Sequence, residues 1–232
     1  MVKGRDIKVV VGLTNSADSK VAAYLLNQQG YEVMGVTFLY GPKDKAKGEH
    51  SNLSILDYKC NISDSKEIKS FCQKLGIQHF VFFAQDEYRD EVVDTCISYH
   101  LKSANDNPCF GCSKLTLRLL LNKAENLGAD FISTGHYAKV HFSQTSKSYF
   151  LNAANEMTSD QSFLLANIRQ DILAKLILPL GKFIFVYLER FFFSGVFFFF
   201  FWGFFFFFAG KDNCRGEDFL SPIIFSSIRL KP

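Results

Sequence analysis

Residues 9–37, VVVGLTNSADSKVAAYLLNQQGYEVMGVT, decide the fold. The run that ends at Gly12 is short, apolar and β-branched, as in a strand buried on both faces. A polar turn follows, and then a helix with apolar residues at helical spacing up to Gly30, a typical residue just beyond a helix. A second apolar strand covers about Glu32–Leu39. This stretch predicts a strand, a crossover helix and a second, parallel strand.

The same alternation continues along the chain. Apolar spacing predicts a helix up to Gly76, a strand over 79–83, a helix over about 87–101, a helix that ends at Gly128 and a strand over 130–134. The sequence therefore predicts an α/β fold with a mostly parallel sheet. Such sheets bind ligands beyond the carboxyl ends of their strands. Segments 13–19, 38–41 and 135–137 follow strands, so we expect them to converge on one site.

Composition limits the function only loosely. The chain has 232 residues and a formal charge of +3, which permits a nucleic-acid partner without arguing for one. Its six cysteines lack the framework of a small secreted protein, and the N-terminus has no apolar signal segment. We expect reduced thiols in a cytoplasmic protein, with an organelle left open.

Four further motifs carry a family resemblance: NPCFGC at 107–112, LGADFISTGHYAKV at 127–140, TSDQSFLLANI at 158–168 and LILPLG at 176–181. Their order and spacing resemble those of the tRNA-specific 2-thiouridylases, which are ATP-pyrophosphatase-loop enzymes, over about residues 5–181. The resemblance implies a Rossmann-like fold of the adenine-nucleotide alpha hydrolase type. It also implies ATP-dependent 2-thiolation of a tRNA wobble uridine, with tRNA and a sulfur-relay donor protein as partners.

The resemblance assigns ATP, with Mg²⁺, to the loop after the first strand. The residues implied are Gly12, Leu13, Thr14, Asn15, Ser16, Ala17, Asp18, Ser19, Phe38 and Gly135. The family loop has the form S-G-G-x-D-S-S, whereas residues 14–20 are TNSADSK, so both glycines are replaced. Glycine suits such a loop because it lets the backbone approach phosphate closely. The alternatives are an ordinary polar turn for 13–20 and a core role for Phe38.

The resemblance makes Cys112 the catalytic nucleophile and Cys214 the carrier of persulfide sulfur. A helix beginning at Ser113 is expected to lower the pKa of the Cys112 thiol through its dipole, together with Lys114. Cys109 completes a Cys-x-x-Cys pattern, which leaves an iron–sulfur or other metal site with Cys214 as an alternative. Two idle thiols are the third interpretation.

The resemblance also implies tRNA contacts. They fall on Asn107, Pro108, Cys109, His136, Ser159, Asp160 and Gln161. From the residues alone, His136 is a hydrogen-bonded side chain at a strand end and Asp160 is a helix N-cap.

Three regions are expected along the chain: a nucleotide-binding catalytic domain over 1–150, the start of a tRNA-binding region over 151–190, and an aberrant segment over 191–232. Residues 191–208 hold thirteen Phe, which we interpret as a sequence error or gene decay rather than a membrane span. We expect the family's C-terminal β-barrel to be missing. Two competing functions remain: another ATP-pyrophosphatase-loop enzyme, or a decayed paralogue that binds neither ATP nor tRNA.

Overall fold

The structure is a computed structural model that describes residues 7–40, 65–101 and 108–182. These residues belong to one compact unit, Met1–Phe183. Asn107, Cys214 and the Phe-rich segment 191–232 lie outside the described residues, so what the sequence predicts for them stays a prediction. Within the three described ranges, no helix is both long and apolar enough to cross a membrane.

A five-stranded parallel sheet forms the centre. Its strands are β1 (Lys8–Gly12), β2 (Glu32–Leu39), β3 (Gln78–Phe83), β4 (Phe131–Ser133) and β7 (Leu176–Ile177), in the order β3-β2-β1-β4-β7. The chain moves outward from β1 to β3 and then returns to the other side of β1 at β4. The strand order reverses between β1 and β4, and this is the point where open parallel sheets bind ligands. The predicted α/β fold is confirmed.

Helices cover both faces of the sheet. They are α1 (Ala17–Gln28), α2 (Ser65–Leu75), α3 (Gln85–Tyr88), a π-helical segment (Arg89–Val93), α4 (Asp94–Leu101), α5 (Pro108–Asn126) and α6 (Gln170–Lys175). The single helix predicted over 87–101 is therefore interrupted by the π segment. The predicted helix start at Ser113 is wrong, because α5 begins at Pro108, whose fixed φ suits the first position of a helix.

The side chains of β1 alternate between two apolar clusters. Val9 and Val11 pack in one cluster with Ala23 and Leu26 of α1. Val10 belongs to the other, whose members also come from β2, α5 and α6. Burial on both faces explains why β1 reads as an unbroken apolar run rather than an alternating one.

A hairpin follows β4 and was not predicted. Its strands are β5 (Ala138–Ser143) and β6 (Ser148–Ala153), paired antiparallel. Short 3₁₀ turns at Met157–Ser159, Ser162–Leu165 and Pro179–Lys182 complete this region. A Cβ at Gly181 would lie 1.8 Å from the Ala138 carbonyl oxygen, so only glycine allows the last turn to lie against β5.

Candidate functional site

The loop after β1 is anchored at Leu13. The Leu13 N–H donates to the Val36 carbonyl at 2.7 Å, and the Thr37 hydroxyl donates to the Leu13 carbonyl at 2.9 Å. His79 Nε2 lies 2.9 Å from Thr37 Oγ1 and is the donor, because the Thr37 hydrogen is already used. Burial lowers the pKa of His79, and nearby Lys69 lowers it further. Two neighbouring strands therefore hold the base of the loop.

Three hydroxyls organise the exposed part of the loop. Ser16 is the N-cap of α1, and its Oγ accepts from the Ser19 N–H at 3.4 Å. Ser19 Oγ accepts from the Thr14 N–H at 3.1 Å, and Thr14 Oγ1 accepts from the Ser16 N–H at 3.3 Å. Three backbone N–H groups of the loop are thus hydrogen-bonded to hydroxyl groups of the loop itself. One of these hydroxyls belongs to Ser16, which stands where the family pattern has glycine.

Lys20 closes the loop from the helix side. Its Nζ donates to Asn15 Oδ1 at 2.9 Å and to Glu67 Oε1 at 2.5 Å. Lys20 is 7% exposed, whereas Asn15 is exposed and the Glu67 side chain is 55% exposed. The hydrogen bond from Lys20 is the main cause of the lowered pKa of Glu67. The buried methylene chain of Lys20 therefore holds its ammonium group beside the loop.

Gly135 brings the end of β4 against the start of α1. A Cβ at Gly135 would lie 2.7 Å from the Ser19 nitrogen and 2.8 Å from the Asp18 carbonyl carbon. The buried Tyr137 donates its hydroxyl to Asp18 Oδ1 at 2.9 Å. Of the three segments predicted to converge, 13–19 and 135–137 meet, and they do so at the reversal of strand order, whereas the place of 38–41 at this site stays a prediction.

Gly12 and Phe38 serve packing in the structure. A Cβ at Gly12 would lie 2.9 Å from Leu120 Cδ1, so Gly12 allows α5 to approach β1. Phe38 is 8% exposed, and its ring packs with those of Tyr40 and Phe82 at centroid distances of 6.4 and 6.2 Å. These positions match the core interpretation of Phe38, and its adenine contact stays a prediction.

His136 connects this site to helix α5. Its Nδ1 lies 2.9 Å from the Thr134 hydroxyl, and its Nε2 lies 3.4 Å from the Ser113 hydroxyl. Burial lowers the pKa of His136 to about 4, so the imidazole is neutral at physiological pH. It is hydrogen-bonded at a strand end, as its position in the sequence predicted. Ser113 follows Cys112 directly, so the predicted nucleophile lies in the part of α5 that contacts this site.

Cys112 is the fifth residue of α5 rather than the residue before it. Its half-buried side chain packs against the apolar cluster of α5, while Cys109, one turn earlier, is exposed. The helix dipole acts mainly within the first turn, so the expected dipole effect belongs to Cys109 more than to Cys112. The start of the helix at Pro108 is the reason for this correction.

The described cysteines show no disulfide. They are Cys72, Cys96, Cys109 and Cys112. Cys72 lies in the core, where burial raises the pKa of its thiol to about 11. No group of three potential metal ligands occurs within 7–40, 65–101 and 108–182. The iron–sulfur alternative involved Cys214 and therefore stays untested.

Asp160 and Gln161 fasten the turn after the hairpin. Gln161 donates its N–H to the Tyr137 carbonyl at 2.8 Å, and its side-chain oxygen accepts from the Tyr137 N–H at 3.1 Å. Asp160 accepts from the N–H of Ala154 and from Ser162. Burial opposes the charge of Asp160, but these hydrogen bonds outweigh it and lower its pKa. Ser159 ends the 3₁₀ turn just before Asp160.

Several contributing residues were not singled out from the sequence. Lys20, Thr37, Ser113 and Tyr137 all contact the predicted site residues. Lys20 carried a visible signal, because the family pattern has serine at that position. The others offered none, since their contacts depend on packing between distant segments.

Comparison with known proteins identifies the family of the chain. The model of the family described as the tRNA methyl transferase HUP domain matches residues 7–186. The chain belongs to this family. The match covers the sheet, the loop after β1 and helix α5, so the family assignment and the site concern the same residues.

Curated relatives confirm the resemblance to 2-thiouridylases. The tRNA-specific 2-thiouridylase MnmA of Clostridium botulinum is 36% identical over 177 residues, which are 76% of this chain and 47% of the relative. The protein of the same name from Clostridium perfringens is 34% identical with the same coverage. The chain therefore spans about half the length of the curated relatives it matches. A solved structure, a predicted subunit of a tRNA methyltransferase from Methanocaldococcus jannaschii, matches with a TM-score of 0.45 and 17% identity, covering 79% of this chain and 73% of that one.

Proposed function

We propose that this chain is the nucleotide-binding catalytic part of a tRNA-uridine 2-sulfurtransferase. One observation carries the proposal: Gly135 lies against Asp18 and Ser19, and the adjacent His136 contacts Ser113, the neighbour of Cys112. The nucleotide loop and the part of α5 that bears Cys112 are thus linked through Gly135 and His136 at the reversal of strand order, where a parallel sheet binds its ligand. The 2-thiouridylase relatives support the assignment of the reaction.

The residues of the loop fit a phosphate group. The N-terminus of α1 points its first-turn N–H groups at the crevice, and Thr14, Asn15 and Ser16 are exposed there. The Thr14 and Ser16 hydroxyls are hydrogen-bonded to each other at 2.9 Å and also contact Ser19 Oγ, so they would donate to phosphate oxygens by exchanging these hydroxyl partners for the ligand. Asp18 uses Oδ1 for Tyr137, so a Mg²⁺ ion accompanying ATP would be held through its second oxygen.

The proposed reaction has two stages. The uridine O2 attacks the α-phosphorus of ATP, the bond from that phosphorus to the bridging oxygen breaks, and pyrophosphate leaves. The terminal sulfur of a cysteine persulfide on Cys214 then bonds to C2, and AMP leaves with O2. Attack by the Cys112 thiolate on the sulfur–sulfur bond releases thiolated tRNA and leaves a disulfide, which an external thiol reduces.

His136 is suited to this site as a neutral hydrogen-bonding group. Because burial lowers its pKa, His136 carries no positive charge where it contacts α5 at Ser113. Gln161 holds the backbone of Tyr137, and through it the segment that bears His136 and Gly135, while Asp160 fastens the same turn to Ala154 and Ser162. We propose that this braced segment, with Cys109 and Ser159, forms the surface that receives the tRNA anticodon.

The proposal is tested by thiolation of a tRNA transcript. The full chain is incubated with ATP, Mg²⁺ and a small-molecule persulfide, and thiolated tRNA is detected by its retardation in a mercury-containing gel. We expect ATP-dependent product from the wild type and none from Cys112→Ser. The control is Cys96→Ser in α4, which we expect to retain activity.

The outcomes separate the competing functions. ATP binding without any thiolated product would favour another ATP-pyrophosphatase-loop enzyme. Equal activity of the Cys112→Ser and Cys96→Ser variants would remove Cys112 from the mechanism. Failure to bind either ATP or tRNA would identify a decayed paralogue.

A further inference from the structure

We propose that Lys20 binds the pyrophosphate part of the nucleotide, exchanging the amide oxygen of Asn15 for a phosphate oxygen. This inference rests on the proposed nucleotide site and adds to it a cationic group that the family loop lacks. Two departures from the family pattern, Asn15 for glycine and Lys20 for serine, bond directly to each other at 2.9 Å. They therefore act as a pair.

The position of Lys20 suits a phosphate ligand. It lies in the first turn of α1, and its side chain extends back toward the N-terminus of the helix, as helical side chains do. Its Nζ consequently reaches Asn15, an exposed residue at the point where the loop enters the crevice. A phosphate group at the N-terminus of α1 would lie beside the same ammonium group.

The negative charge of the loop is a second reason to expect a cation beside a bound phosphate. Among residues 13–19 the charged side chain is Asp18, which is negative. A triphosphate placed there lies beside a carboxylate, and the charge of Lys20 adds to what the helix dipole, the hydroxyls and an accompanying Mg²⁺ ion would supply. Lys20 is the lysine whose nitrogen contacts this loop among the described hydrogen bonds and ion pairs.

Stability alone does not account for the lysine. Its side chain is 8% exposed, but the carboxylate that pairs with it is 55% exposed. Ion pairs with an exposed partner contribute little to the free energy of folding. An apolar side chain would fill the buried position of the lysine stem with a smaller desolvation cost. Exchange of the neutral Asn15 oxygen for a charged phosphate oxygen strengthens the hydrogen bond that Lys20 makes. The arrangement therefore favours a ligand more than it favours the unliganded fold.

The test measures binding of ATP, inorganic pyrophosphate and adenosine to the full chain by calorimetry. Lys20→Met removes the charge and retains an apolar stem, and Lys20→Arg retains the charge. The matched control is Lys8→Met, because Lys8 also pairs with an exposed glutamate, Glu32 at 3.3 Å, but lies at the opposite end of β1. Glu67→Gln removes the competing carboxylate.

We expect Lys20→Met to weaken ATP and pyrophosphate binding by about tenfold or more, with adenosine binding unchanged. Lys8→Met and Lys20→Arg retain binding, and Glu67→Gln strengthens it. Thermal melts establish whether the variants fold. If Lys20→Met does not fold, the other two variants decide: weaker pyrophosphate binding by Glu67→Gln, or loss of binding by Lys20→Arg, would overturn the role of Lys20.

The remaining results separate this inference from the proposed function. ATP binding that is the same in Lys20→Met and Lys8→Met overturns the role of Lys20 and leaves the function standing. Pyrophosphate binding that depends on Lys20 without ATP binding overturns the nucleotide function and leaves the anion site. Wild-type protein that binds neither ligand overturns both.

Discussion

The Tyr137 hydroxyl and the Asp18 carboxylate are joined by a hydrogen bond of 2.9 Å, although 119 positions separate the two residues in the chain. The bond ties the segment after β4 to the first turn of α1. It crosses the crevice that the reversal of strand order creates between β1 and β4. Loss of this bond is therefore expected to loosen both sides of the candidate nucleotide site.

Tyr137→Phe is expected to lower the free energy of unfolding by about 1–3 kcal/mol, because it leaves the part-buried Asp18 carboxylate without this donor. Urea denaturation measures the loss. Tyr149→Phe is the control, since no hydrogen bond of the Tyr149 hydroxyl occurs among the described residues. Equal losses in the two variants would show that the Tyr137–Asp18 bond contributes nothing specific.

Gly135→Ala and Gly111→Ala are expected to have opposite effects. The new Cβ at Gly135 meets backbone atoms of Asp18 and Ser19 at 2.8 and 2.7 Å, so α1 must shift, at a cost of about 1–3 kcal/mol. The Cβ at Gly111 meets its nearest neighbours at 3.6 Å, and alanine favours the helix by about 1 kcal/mol. Thermal unfolding measures the stability of the two variants. A Gly135→Ala variant that is more stable than the wild type would contradict the close packing of Gly135 against α1.

His136 predicts an acid-dependent loss of stability. Its folded pKa, about 4, lies below the ordinary value of 6.5, so the unfolded chain binds the proton more tightly. The contribution of neutral His136 is complete above pH 6.5 and disappears as the pH falls toward 4. Denaturation of wild type and His136→Gln across this window measures it. We expect the wild type to lose about 1–3 kcal/mol more than the variant, and parallel curves would refute this.

Ser133→Ala is expected to be neutral or stabilising by up to about 1 kcal/mol. Ser133 Oγ is fully buried and has no hydrogen-bond partner among the residues that the structure describes, so removing it also removes the cost of burying an unpaired hydroxyl. Thr37→Val provides the contrast, because it breaks bonds to Leu13 and His79 and is expected to cost about 1–3 kcal/mol. Chemical denaturation ranks the two, and a clear loss in Ser133→Ala would reveal an unrecognised partner.

The helices show what the local spacing of apolar residues can predict: the body of a helix, but not always its first residue. Apolar spacing located α1 and the body of α5, because the residues of one helical face are near neighbours in sequence. It misplaced the start of α5 at Ser113, since NPCFGC has the proline and glycine that usually mark a loop. Pro108 instead opens the helix, and this moved Cys112 into its second turn.

The sequence predicted that two segments of the candidate site meet, but it did not predict the contacts between them. Strand-end position was sufficient to bring segments 13–19 and 135–137 together, because parallel strands present their carboxyl ends at one edge. It could not show that Phe38 is buried against Tyr40 and Phe82, which depends on the face of β2 that α5 covers.

The sequence by itself determined that the sheet is mostly parallel, the positions of its first four strands and the motifs of the family, because periodicity and turn residues act over short distances along the chain. Only the tertiary structure decided the partners of the polar side chains: Glu67 for Lys20, Ser113 for His136 and Asp18 for Tyr137. These pairs join segments far apart in sequence. Each exists because packing of helices on the sheet brings its two groups within hydrogen-bond distance, and no local pattern encodes that distance.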